Sequence, residues 1–253
     1  MKTKEAKFTR ELQIFSIEIT EAIQFFYAYL TINAVLSDNR KALDIVNQTP
    51  LFWNTNVSAL QASFFVTLGR ILDQNSKHNI DRLLSMAQKE SVIFSVEALE
   101  GRKRAGKQNA DEWIQDYIKD VYVPTATDFR RLRKYINKYR KIYESVYREI
   151  RHKVYAHKEL SKPEDLEALF ARTNIREIQK LLIFLNRFHE ALWQLFYNGL
   201  KPTFRPMKYS VTRMRKEVIP KWVNTDIQEH MVYETERFFK ILAAVPAEQM
   251  GHE

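Results

Sequence analysis

The sequence predicts an all-α fold, an antiparallel helical bundle, and three observations predict it. Apolar side chains recur at spacings of three and four over most of the chain, as in Phe8, Leu12, Phe15, Ile19, Ile23, Phe26 and Leu30. At that period side chains share one face of an α-helix. Glycine is scarce, five in 253 residues, and proline numbers seven, which disfavours a sheet-rich fold with many tight turns. No series of strands and no internal repeat is visible.

The elements follow in order. A first helix covers about 8–36 and stops at Ser37-Asp38-Asn39. Thr49-Pro50 is a start signal, an N-cap followed by proline in the first turn. The helix it opens runs over about 51–73, with a loop at 75–79 and a short helix over 80–89. Residues 101–107 combine two glycines with four basic side chains and read as a mobile loop. A helix around 111–121 stops before Pro124, and one long helix is expected over about 126–159. Ser161-Lys162-Pro163-Glu164 has the form of a capping box with proline in the first turn. A strong helix follows over 174–198, closed by Gly199 and Pro202. Residues 201–216 show no clear period, and about 225–244 is helical again. The expected organisation is a helical domain over 1–200 and an extension, 201–253, carrying one helix and packed on the same domain.

Composition excludes several chemistries. Without cysteine there are no disulfides, no thiolate zinc sites and no thiol nucleophile. Hydrophobic residues at 45% and charged residues at 28% are an ordinary globular balance. Glu11, Glu18, Glu21 and Gln24 interrupt the apolar N-terminal helix, and an unbroken apolar run such as 181–185 is far too short to span a bilayer. Neither a signal peptide nor a membrane span is expected, and the chain reads as a soluble, cytoplasmic protein. The histidines at 78, 189, 230 and 252 are scattered and lack the spacing of a helical metal pair, so no metal is expected. No phosphate-cradling glycine loop and no nucleophile elbow occurs.

The charge is local. Between 130 and 158 stand eleven lysines or arginines against two glutamates, an excess of nine, and the whole chain carries +9. The stretch ends in Arg151-His152-Lys153-Val154-Tyr155-Ala156-His157, which sets a permanent cation and a titratable imidazole beside a field suited to a polyanion. Tyr135, Tyr139, Tyr143 and Tyr147 form a ladder that continues to Arg151 and Tyr155. Ile136, Tyr143, Ile150 and His157 form an apolar seam. The ladder suits a core face or a dimer face, and Arg130 to Lys141 suits a solvated basic face. On an ideal α-helix a six-residue step turns through about 600° and rises about 9 Å. Arg151 and His157 then point roughly 120° apart, and a second copy of the helix is an attractive way to complete the site.

Arg151-His152-x4-His157 resembles the R-(N/D/H)-x4-H signature of the HEPN superfamily, with alanine before the histidine as in many members. The stretch Leu68-Gly69-Arg70-Ile71-Leu72-Asp73, followed by 79–84, resembles the abortive-infection U-type branch of that superfamily. The resemblance covers about 1–200, with His152 in place of the commoner Asn or Asp.

It implies a helical bundle that dimerises so that two motifs face one cleft. It also implies a metal-independent, cofactor-free endoribonuclease, a toxin or phage-defence effector, or else an inactive relative that binds RNA or a protein partner such as an antitoxin. Arg151 and His157 are the implied catalytic pair. RNA carries its own nucleophile, the 2′-hydroxyl. A histidine moves the protons, and an arginine offers a planar fork to the phosphate oxygens. His152, Lys153, Tyr155 and Arg148 are candidates for holding RNA, and Arg70 and Asp73 for a supporting ion-pair or hydrogen-bond network.

Overall fold

The computed structural model describes residues 2–105, 107–156, 162–204, 208–216 and 226–244, and among them it is all helix and turn, with no strand. The helices are α1 (Lys2–Asp38), α2 (Arg40–Gln48), α3 (Pro50–Leu72), α4 (Ile80–Lys89), α5 (Val96–Arg104), α6 (Ile114–Lys119), α7 (Ala126–Ile142), α8 (Arg148–Ile150), α9 (Pro163–Ala171), α10 (Ile175–Asn198), α11 (Val211–Met214) and α12 (Ile227–Ala244). The all-α class expected from the periodicity is the class observed.

The chain forms two compact units, one of Met1–Ile19 with Leu68–Pro206, the other of Thr20–Thr67 with Met207–Glu253. In the first, α10 is the central element. Leu181, Leu182, Leu185, Phe188 and Leu192 on one stripe are fully buried, each contributing about 1.5–3 kcal/mol of apolar burial. Phe8 on α1 meets Phe94 and Phe196 at ring-centre distances of 5.3 and 5.0 Å. Tyr139 on α7 stacks on Phe184 of α10 at 4.2 Å. Gly199 ends α10 in the left-handed conformation at φ 61°, where a side chain would also press on Leu99 and Val121. In the second unit, Ile32, Val35, Ala42, Val46 and Phe239 make a core against which Trp53 packs.

Two sequence expectations are corrected. Residues 40–48, which no pattern had marked, form α2, because the Asn39 side chain accepts a hydrogen bond from the Ala42 N–H. The basic stretch at 101–107 is largely helix, since α5 extends to Arg104; Gly106 lies outside the described residues. Arg102 binds the Glu5 carboxylate and the carbonyls of Ile93 and Phe196, each at 2.8 Å, and lies over the Phe196 ring. Its charge pins α5 into the unit. At α9 the cap position belongs to Lys162, with Pro163 first in the helix, and Ser161 lies outside the described residues.

α1 is long and apolar enough to cross a membrane, but half of that window is buried inside the fold. Its Phe8, Leu12, Phe15 and Ile19 are core residues, the pattern of a core helix.

The helix that carries the motif is continuous over 126–156. It opens on a capping box in which Thr125 and Asp128 bond each other's backbone. Burial opposes ionisation of Asp128, but hydrogen bonds from Tyr122 and Thr125 hold its carboxyl below the usual range. The helix is not uniform. After α7 it widens into a π-helical stretch at Tyr143–Tyr147, resumes as α8, and widens again at Arg151–Ala156.

Candidate functional site

Both π-helical stretches sit where the motif helix faces the end of α3. In the first, the Arg148 N–H reaches back five residues to the Tyr143 carbonyl, adding a residue to that turn. One ordinary turn and one widened turn together take up about eight residues. Tyr143 and Arg151 therefore point the same way, and both bond Asp73. The splay of roughly 120° expected for Arg151 and His157 involves a residue beyond this stretch. His157 itself lies outside the described residues.

Asp73 follows directly on α3. One carboxylate oxygen accepts from the Tyr143 hydroxyl at 2.9 Å, and the other accepts from Arg151 Nη1 at 2.5 Å. Arg148 Nε stands 3.8 Å from the first oxygen. Burial, with Asp73 beside it, pushes the Tyr143 hydroxyl far up from its usual range, so it stays a neutral donor. Arg151 Nη1 also lies 3.2 Å from His152 Nε2. A guanidinium can only donate, so Nε2 accepts in this contact.

Gly69, one helical turn before Asp73, makes room for Arg151. A methyl group there would overlap Arg151 Nε and Cδ. The arginine stem lies across the bare backbone of α3, with Nε buried and, among the described residues, without a hydrogen-bond partner. Asn79 fixes the turn beyond. Its amide donates to the carbonyls of Asp73, Gln74 and Ser76 at 3.2, 3.0 and 2.8 Å, while its oxygen caps α4 by accepting from the Arg82 N–H at 2.9 Å.

Between the motif helix and the 74–76 turn opens a cleft of about 330 Å³, at the lower end of the range for small-ligand sites. Its wall carries Arg70, Arg148, Arg151 and His152 against Asp73 and Glu144. Three arginines opposed by two carboxylates make a site for an anion of modest charge, less positive than the sequence run implies.

The structure gathers some of the expected site residues and not others. Arg148, Arg151, His152, Arg70 and Asp73 all line the cleft. Arg70 pairs with Glu18 at 3.2 Å, and Asp73 pairs with Arg151. The two candidates for a supporting network thus serve different partners. Lys153 is held by Glu149 at 2.8 Å and, like Tyr155, is not part of the wall.

The tyrosine ladder is core only in its middle, while Tyr135 is exposed. Tyr143 and Tyr147 are buried, and the Tyr147 hydroxyl donates to the Asn174 carbonyl while accepting from the Asn174 N–H. The basic face is partly internal as well. Arg140 is buried against Asp81, Arg133 bonds Ser85, and Arg131 bonds the Pro202 carbonyl. Sequence reasoning had left Tyr143, Gln74, Asn75, Ser76 and Glu144 out of the site. A carboxylate ending α3 within reach of a buried tyrosine is a long-range arrangement that no local spacing shows.

The model of the HEPN AbiU2 family matches residues 5–220. The chain belongs to this family. No curated protein and no solved structure matches it. The match spans the two stretches that build the cleft, the end of α3 and the Arg151 segment. This HEPN AbiU2 protein thus joins a HEPN-type family of abortive infection, and both halves of its cleft fall within the family's span.

Proposed function

We propose that this chain is a metal-independent endoribonuclease, a toxin or phage-defence effector of abortive infection, acting in the cytoplasm as a homodimer. It cleaves RNA by attack of the 2′-hydroxyl on the adjacent phosphate. Arg151 stabilises the charge that builds on the phosphorane, and His157 moves the protons. Arg148 and His152 hold neighbouring phosphates. The products are a 2′,3′-cyclic phosphate, or the 3′-phosphate it yields, and a 5′-hydroxyl.

The observation that carries this reading is Arg151 itself. Its guanidinium is seated on Asp73 at the wall of an open polar cleft. A second copy of the motif helix completes the site across a dimer interface, which uses surface other than the buried Tyr143 and Tyr147. An antitoxin or regulatory protein that restrains the enzyme is the expected protein partner.

The test is incubation of the full chain with RNA in EDTA and identification of the new ends. Cyclic-phosphate ends from the wild type, lost in Arg151→Ala and in His157→Ala, support the mechanism. Equal cleavage by all three proteins sinks it. A second reading, an inactive module that binds RNA or a protein, is favoured by Asp73, which already occupies one nitrogen of Arg151. It predicts saturable, salt-sensitive RNA binding with no new ends.

A further inference from the structure

We propose that Asp73, Tyr143 and Gly69 form a seat that aims the Arg151 guanidinium, with Asp73 as a positioning residue for RNA cleavage. The proposal rests on the ribonuclease reading and assigns to α3 a share of the site.

A free arginine side chain samples many rotamers, and freezing one costs binding energy each time a phosphate is captured. Here the freezing is done in advance. Below the stem, Gly69 offers bare backbone, and any side chain would displace Nε and Cδ. At the tip, Asp73 binds Nη1 at 2.5 Å. Behind Asp73, the hydroxyl of buried Tyr143 fixes the other carboxylate oxygen at 2.9 Å. One carboxylate oxygen is thus held by Tyr143, and Arg151 binds the other through a single nitrogen, Nη1. Among the described residues Nη2 makes no hydrogen bond, and Arg151 lines the cleft. One edge of the fork is anchored, and the other is presented to an entering phosphate oxygen. This is the arrangement a transition-state contact needs, because the donor is in place before charge develops.

Two readouts on the full-length chain test the seat. The first does not depend on cleavage. The Arg151 Nε–Hε resonance, assigned by its loss in Arg151→Lys, is expected to be shifted away from the exposed-arginine position and slow to exchange. In Asp73→Asn and in Gly69→Ala it is expected to collapse to the exposed position. Tyr143→Phe, which removes one oxygen and keeps the core, is the milder variant and is expected to broaden it. A resonance unchanged in Asp73→Asn and Gly69→Ala overturns the proposal, and circular dichroism identifies any variant that has simply unfolded. If Asp73→Asn and Gly69→Ala both unfold, Tyr143→Phe decides: broadening supports the seat and an unchanged signal overturns it.

The second readout is RNA cleavage. Asp73→Asn is expected to lower kcat at least 10-fold with KM changed less than 3-fold, as for a residue that aims a transition-state contact. A rise in KM alone, with kcat kept, overturns the positioning role. A wild type that cuts no RNA yet loses the resonance in Asp73→Asn strikes the ribonuclease reading and leaves the seat standing.

Discussion

Arg140 and Arg151 lie on the same continuous helix, and each is paired with an aspartate from a neighbouring segment, yet their settings differ. Arg140 is closed in against Asp81, with 7% of its side chain exposed. Arg151 meets Asp73 with 24% exposed, at the wall of a cleft. Among the described residues, both leave a buried Nε without a hydrogen-bond partner. Paired arginines thus occur in the framework and in the candidate site alike. The difference lies in what stands behind the aspartate. Asp81 also receives Arg133, at 3.5 Å, so both its partners are arginines of α7. Behind Asp73 stands a neutral tyrosine, and a glycine clears the path of the arginine stem. Density of charge along a helix is therefore a poor guide to which cations stay accessible.

The comparison can be broken at its strongest point first. Arg151→Ala is expected to reduce RNA cleavage by at least about 100-fold, the scale of removing one donor that stabilises a transition state, measured as new RNA ends per unit time. Residual cleavage within a few-fold of wild type would remove Arg151 from the site. Arg140→Ala should do the opposite. It is expected to cost about 2–3 kcal/mol of stability, because it removes a buried side chain and leaves Asp81 with only the more distant Arg133. RNA affinity should change less than twofold. Urea denaturation and a binding titration read the two effects, and an affinity loss that exceeded the stability loss would erase the distinction.

The salt dependence of RNA binding sharpens the same contrast. If binding uses the cleft cations Arg70, Arg148 and Arg151, the logarithm of affinity should fall with the logarithm of salt with slope about −2. If all eleven cations of the basic stretch are engaged, the slope should be nearer about −8. A steep slope would restore the run of charge as the binding surface. The smallest effects belong to exposed lysines of α7. Lys134→Ala and Lys138→Ala should each shift stability by less than about 0.5 kcal/mol.

Much of this was legible in the sequence, for local reasons. Phe8 to Leu30 and the 174–198 stretch carry a helical period that burial enforces, and α1 and α10 are built on it. The Arg151 motif and the Gly69-to-Asp73 stretch were visible as a resemblance. That they meet was not visible, because Arg151 and Asp73 are 78 residues apart in the chain. The widened turns at Tyr143–Tyr147 and Arg151–Ala156 were hidden as well, since a stripe of tyrosines spaced by four suits an α-helix equally. Arg102 misled for the opposite reason. Its neighbours Gly101 and Gly106 look like loop residues, while its partners Glu5 and Phe196 come from distant helices.

Asn79 carries one more consequence. Its single amide group performs two jobs through two different atoms: the nitrogen gathers the carbonyls that end α3, and the oxygen starts α4. Asn79→Asp changes that nitrogen to oxygen at constant shape. The start of α4 would keep its acceptor, while three carbonyl oxygens would face an anion instead of a donor. One atom thus divides the closing of α3 from the opening of α4, and the mouth of the cleft can be loosened without touching a residue that lines it.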